Sequence, residues 1–138
     1  MISLEEVRST VVAAFKSAHE VSYSGVLVNY PNYVVVDLEH QRAPFVSIEM
    51  ELTDTSQAAI GEREITAQGV LRVYYYYRDG TGMSGAFSYI DAMNDNLGMM
   101  WLGGVYYQSA KVLDVVSFPG WKGKLLEFKF AVVDGVEC

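Results

Sequence analysis

Thr66-Ala67-Gln68-Gly69-Val70-Leu71-Arg72-Val73-Tyr74-Tyr75-Tyr76-Tyr77 is the stretch whose reading decides the fold. Its aromatic and β-branched residues suit a pleated, half-buried surface, so it is read as a strand. Side chains alternate across a sheet, which places Ala67, Gly69, Leu71, Val73, Tyr75 and Tyr77 on one face and Thr66, Gln68, Val70, Arg72, Tyr74 and Tyr76 on the other. The first face is core. The second holds a guanidinium at its centre with two phenols beside it, so it must meet water or a polar partner.

Upstream, Val46, Ile48, Met50 and Leu52 alternate with Ser47, Glu49 and Glu51, the pattern of a strand with one dry and one wet face. Antiparallel pairing with the tyrosine-rich strand sets Glu49 and Glu51 on the same outer face as Arg72, where opposite charges across strands attract. The connection from Thr53 to Ile65 is too long for a tight turn and is read as a polar loop available for contacts. Earlier still, Ser3 and Glu6 form a capping box, with Ile2 and Val7 at staple spacing. Leu4, Val7, Val11, Ala14 and Ala18, with Phe15 beside them, then recur at helical spacing, which predicts a helix over about Leu4 to His19. Between Glu20 and Pro44 the pattern is less regular, with a Tyr30-Pro31-Asn32 turn and a possible edge strand from Tyr33 to Leu38.

Downstream of Arg78, a second helical pattern runs through Ala86 or Phe87, Ile90, Met93, Leu97 and Met100, and Gly98 with the Gly103-Gly104 pair ends it. Two strands follow: a mixed one over Val105 to Phe118, and, past a Pro119-Gly120-Trp121 turn, one alternating Leu126, Phe128, Phe130 and Val132 against Glu127, Lys129 and Ala131. Tyr75, Tyr77, Phe128 and Phe130 are expected in the core; Tyr74, Tyr76 and Trp121 are expected to stay partly exposed. The order predicts an α+β fold: one domain over residues 1–138, a four- or five-stranded mostly antiparallel sheet, and two helices packed on one face.

At 51% hydrophobic and 20% charged residues, the composition argues against disorder, and no apolar run reaches the roughly 20 residues of a membrane helix. No secretory signal is read at Met1 to Glu6. The single cysteine, Cys138, cannot staple the fold, and a reducing compartment is expected. A net charge of −7 argues against gripping nucleic acid through counterion release.

Gly80-Thr81-Gly82-Met83-Ser84-Gly85 is the one enzymatic lead, a G-x-G-x-x-G between strand and helix as a dinucleotide fingerprint requires. The ribose-binding acid expected about 20 residues onward is missing, because no Asp or Glu falls between Asp95 and Asp114. A strand-to-helix connection capped by Thr81 or Ser84 explains the same residues. The two histidines sit in no metal-ligand set: His19 fits a helix end, where the dipole favours a partly charged imidazole, and His40 a surface loop. Asp91 and Asp95 read as a solvated helix face. With no G-x-S-x-G and nothing to activate Cys138, no catalytic residue, metal site or cofactor is assigned.

The capped helix, the Tyr30-Pro31-Asn32 turn, the strand Phe45 to Leu52, and Gln68-Gly69-Val70-Leu71-Arg72-Val73 followed by Asp79-Gly80-Thr81-Gly82 and a helix together resemble the tail terminator proteins of long-tailed bacteriophages. That resemblance covers nearly the whole chain. It implies a non-enzymatic virion protein, assembled in the host cytoplasm, that forms a homohexameric ring on the head-proximal end of the tail. Such a ring caps the tail tube, stops its polymerisation and offers a docking surface to the head-tail connector. A neck or head-tail joining protein of the same particle is the alternative, and a small nucleotide-binding enzyme using Gly80 to Gly85 is the alternative of another class. On this reading Asp54, Thr55, Gln57, Glu62, Arg63 and Glu64 are assigned to tube or neighbour contacts, and Arg72, Tyr74 and Tyr76 to a subunit interface. DNA is expected only as a passenger through a ring whose acidity keeps it from sticking.

Overall fold

The computed structural model describes residues 4–23, 27–29, 43–54, 58–60, 63–78, 83–115 and 119–134. The strand that decides the fold is β4, Arg63–Arg78, and it is flanked by β2, Phe45–Asp54, and β8, Trp121–Asp134, both antiparallel to it. On this frame lie five short strands: β1, Leu27–Asn29; β3, Ala58–Ile60; β5, Trp101–Leu102; β6, Val105–Tyr107; and β7, Lys111–Val115. The strand order is β1-β2-β4-β8-β6-β5, with β3 beside β4 and β7 beside β8. All pairings except the parallel β1 and β2 are antiparallel, as an α+β chain with local connections produces.

Helices α1, Leu4–Tyr23, and α2, Met83–Leu97, cover one face of the sheet. Val7, Val11, Ala14, Phe15 and Ala18 of α1 and Ala86, Tyr89, Ile90, Met93 and Leu97 of α2 are buried against Val46, Ile48, Leu71, Val73, Tyr75, Tyr77, Leu126, Phe128, Phe130 and Val132. The alternation read from the sequence is thus the partition into core and outer face. Of the two residues that could head the second helical stripe, Ala86 takes the buried position and Phe87 is 50% exposed.

Four segments differ from the sequence reading. First, α1 continues a turn beyond His19, so that residue lies within the helix, buried, with its Nδ1 2.9 Å from the Tyr89 hydroxyl and its ring stacked on Phe15. The imidazole therefore pins one helix to the other and does not cap a helix end. Second, the stretch expected as a polar loop is largely strand: β2 runs on to Asp54 past an irregularity after Leu52, and β3 pairs Ala58 to Ile60 with Ile65 to Arg63. Third, Gly103 and Gly104 do not end a helix but turn β5 into β6, at φ values of 62° and 82° that L side chains rarely adopt. Fourth, the mixed segment after Val105 is two strands, β6 pairing with residues 130–132 of β8 and β7 with residues 123–127. The Tyr30 turn, the Tyr33 to Leu38 strand, Ser3, His40 and Cys138 lie outside the described residues.

Candidate functional site

The outer face of the sheet, turned away from both helices, is built by residues in register across β2, β4, β8 and β7. One row reads Glu49, Arg72, Glu127, Lys111; the next reads Ser47, Tyr74, Leu125, Leu113; the third reads Phe45, Tyr76, Gly123, Val115. Each row exists because antiparallel partners share a face.

Arg72 organises the first row. Its Nη1 donates to Glu49 Oε1 at 2.9 Å and Glu51 Oε2 at 2.8 Å, and its Nε donates to Glu127 Oε2 at 3.4 Å. The hydrogen bond to Glu51 does most to hold the guanidinium above its already high pKa, aided by Glu49 and Glu127 and opposed by partial burial. Glu49 and Glu51 remain more than half exposed, whereas Glu127 is only 18% exposed. One guanidinium among three carboxylates leaves the cluster with a net negative charge to present to whatever meets it.

Beside it, Tyr74 and Tyr76 stack with ring centroids 6.2 Å apart and planes 6° from parallel. Burial pushes both phenols above their ordinary pKa, with Glu49 adding to each and Tyr74 adding to the rise at Tyr76. Phe45 lies 5.1 Å from Tyr76 and 5.1 Å from Trp121, edge-on to the latter, and the Arg78 guanidinium sits 4.5 Å over the Trp121 ring. Phe45, Tyr76 and Trp121 are 2%, 9% and 4% exposed, so they form a second apolar cluster on the face expected to be wet. This corrects the expected exposure of Tyr76 and Trp121; Tyr74, half-buried, is the phenol left at the surface. Phe45 went unassigned in the sequence because it shares alternation with Ser47 and Glu49; its signal is an aromatic at the same end of three neighbouring strands, visible once register is known.

At the other end of this face, Gln68, Val70, Tyr106, Gln108, Lys129 and Ala131 line a shallow groove of about 450 Å³. Here Gly69 lets β4 approach its neighbours: a Cβ there would fall 2.5 Å from the Glu51 carbonyl oxygen and 2.6 Å from the Phe130 ring. Of the residues assigned to tube contacts, Asp54 pairs with Gln68, Glu64 with Ala59 and Asp134, and Arg63 with Ile60, all in strands; Thr55, Gln57 and Glu62 lie outside the described residues. Arg72, Tyr74 and Tyr76 are contiguous.

The glycine-rich segment does not sit in the setting its fingerprint needs. Gly80, Thr81 and Gly82 are outside the described residues, but all three strands paired with β4 are antiparallel to it, and of the strands after α2, β6 and β7 join β8, also antiparallel. A dinucleotide site requires a parallel β-α-β unit. Among the described residues no three His, Cys, Asp or Glu side chains gather as a metal site, and no helix is long and apolar enough to cross a membrane.

No protein-family model matches the chain, and no curated protein matches it. A solved structure bearing no functional name is similar, with a TM-score of 0.62 over 96% of this chain and 96% of its own, at 13% identity. Likeness at that identity concerns the fold alone.

Proposed function

We propose that this chain is a structural subunit of a phage tail, a tail terminator whose copies close into a homohexameric ring on the head-proximal end of the tube, with no catalytic role. The observation that carries the reading is the outer face. A sheet already covered by helices on one side keeps, on the other, a carboxylate-rich Arg72 cluster beside the half-buried Tyr74, a combination of charge and aromatic surface suited to association. The two lateral edges of the sheet differ, β1 with β2 and β3 on one side, β5, β6 and β7 on the other, as head-to-tail contacts between identical copies require.

In this reading Arg72 and Tyr74 belong to the subunit interface, with the buried Tyr76 supporting Tyr74 from within the fold, and the segment from Asp54 to Glu64 meets the tube protein or a neighbour. The opposite annulus receives the head-tail connector, within a virion assembled in the host cytoplasm. The net charge of −7 per copy lets DNA pass without adhering. Negative-stain imaging and sedimentation of concentrated protein test the reading. Six-fold annuli, and arrest of tube polymerisation when they are added to tube protein, are the expected results. Annuli that dock a connector without affecting tube length would reassign the protein to the neck. Monomers at every concentration, or salt-sensitive affinity for duplex DNA, would refute it.

A further inference from the structure

The geometry points to the partner of the outer face: the β5–β6 hairpin of one copy seats Met99, Met100 and Trp101 on the Tyr74 row of the next. This rests on the ring reading and names the second surface that a head-to-tail contact requires.

The hairpin stands at one lateral end of the sheet, with β5 last in the strand order. Met99 is 65% exposed, Met100 38% and Trp101 50%, large apolar side chains in direct succession. The other exposed apolar side chains are scattered: Val21 at the end of α1, Phe87 under the Lys124 ammonium, and Val112 and Leu113 on opposite faces of β7. Met99 is also the one non-glycine residue at positive φ among the described residues, at 60°, a conformation that glycine takes freely and methionine only under strain. Such strain, kept in a fold, clusters where something binds. The Tyr106 hydroxyl donates to Met99 Sδ at 3.4 Å, and the Tyr106 ring packs on Trp101 with centroids 5.2 Å apart. The patch is therefore held in shape before a partner arrives, which lowers the entropy lost on docking. Tryptophan, tyrosine and methionine are the residues enriched at the centres of protein interfaces.

Charge selects what this patch meets. From Asn96 to Ala110 the chain has no charged residue, although the whole carries −7. An acidic surface of a second copy would be repelled by the carboxylates around Arg72; this hairpin brings none. On the receiving side, Tyr74, Leu125 and Leu113 share one row of the outer face, the first two half-buried and Leu113 37% exposed, with the exposed Glu49 and Glu51 nearby. An indole has an apolar ring to lay on that row and an N–H donor, with no acceptor, to offer the carboxylates. Direction agrees with charge. The hairpin projects from the end of the sheet and the Tyr74 row from its face, so each copy placed by this contact is turned relative to the last, and repetition leads round to closure. Two patches on the same face would instead stack copies as a closed pair.

Sedimentation velocity of separate and mixed variants tests this. Trp101→Glu removes the anchor of the hairpin and sets an acid against Glu49 and Glu51, and Leu113→Glu spoils the receiving row. Each alone is expected to weaken association about thirtyfold or more and to sediment as monomer where the parent forms rings. Mixed in equal amounts, the two should form a heterodimer and nothing larger, because each supplies the surface that the other lacks and no second contact remains. Trp101→Lys should lose less than Trp101→Glu, by a margin that shrinks in ~1 M salt. Met99→Glu and Tyr74→Ser take their places if circular dichroism shows either variant unfolded. Rings from the hairpin variants at the parent's concentration, or monomeric variants that form no dimer when mixed, overturn the pairing of these surfaces while leaving the ring reading intact. A parent protein that stays monomeric up to millimolar concentration overturns both.

Discussion

Replacing Arg72 with methionine keeps an unbranched stem in the same place but removes the cation that bonds three carboxylates. In the folded protein Arg72 bonds Glu49 at 2.9 Å, Glu51 at 2.8 Å and Glu127 at 3.4 Å. Glu49 and Glu51 are 55% exposed, so solvent screening limits each contact to about 0.5 kcal/mol. The contact to Glu127, between side chains 22% and 18% exposed, is worth about 1 kcal/mol. Removing the guanidinium also leaves three like charges facing one another, so Arg72→Met is expected to destabilise the fold by about 2 to 3 kcal/mol at low ionic strength. Urea unfolding monitored by tryptophan fluorescence measures this. In ~1 M salt the Debye length falls to about 3 Å, and the loss should shrink to about 1 kcal/mol. A loss equal at both salt concentrations would mean that Arg72 acts through packing of its stem, and a loss under about 0.5 kcal/mol would mean that the cluster is an ordinary solvated surface.

Gly69→Ala drives a methyl into the Glu51 carbonyl and the Phe130 ring, and because the carbonyl belongs to a paired strand and cannot swing aside, a loss of about 2 to 3 kcal/mol is expected in the same urea experiment. Trp121→Ala should cost about 3 kcal/mol if the outer aromatic cluster is a genuine second core, against less than about 1 kcal/mol for a surface tryptophan. The fold should weaken in alkali. Burial raises the phenols of Tyr74, Tyr76 and Tyr107 above the ordinary value of 10.0, so their contribution is complete below that pH. It is lost as pH rises towards the folded values, because the unfolded chain releases these protons first. Thermal melts from pH 8 to 11 beside an ultraviolet tyrosine titration check the sign, and a melting temperature flat across that range refutes it.

What could be read from the sequence was what alternation and spacing encode. The two faces of β4, the alignment of Glu49 and Glu51 with Arg72, and the core positions of Tyr75, Tyr77, Phe128 and Phe130 all follow from a period of two, and they are found. Features that depend on a partner from elsewhere were hidden. His19 looks like a helix end until Tyr89 of α2 is seen to hold it, and Trp121 looks like a turn residue until Phe45 is seen beneath it. The division of the segment after Val105 was equally hidden, since β6 and β7 are each too short to show a period and are defined by the strands they pair with, β5 and β8 for the first and β8 for the second. For the outer face the charge cluster was legible, whereas the aromatic cluster needed the register.

The pairing of β4 with β8 runs from Arg78 against Trp121 to Glu64 against Asp134, yet Arg72 and Glu127, opposite each other near its middle, are 55 residues apart in sequence. Such a seam cannot zip from a local hairpin. It must wait for α2 and the small strands between to collapse, which places this chain among the slower folders, on the scale of milliseconds to seconds. Until the seam closes, β4 and β8 expose long rows of unsatisfied amides, so high expression rates should favour insoluble material, and slower synthesis at lower temperature should recover the soluble form.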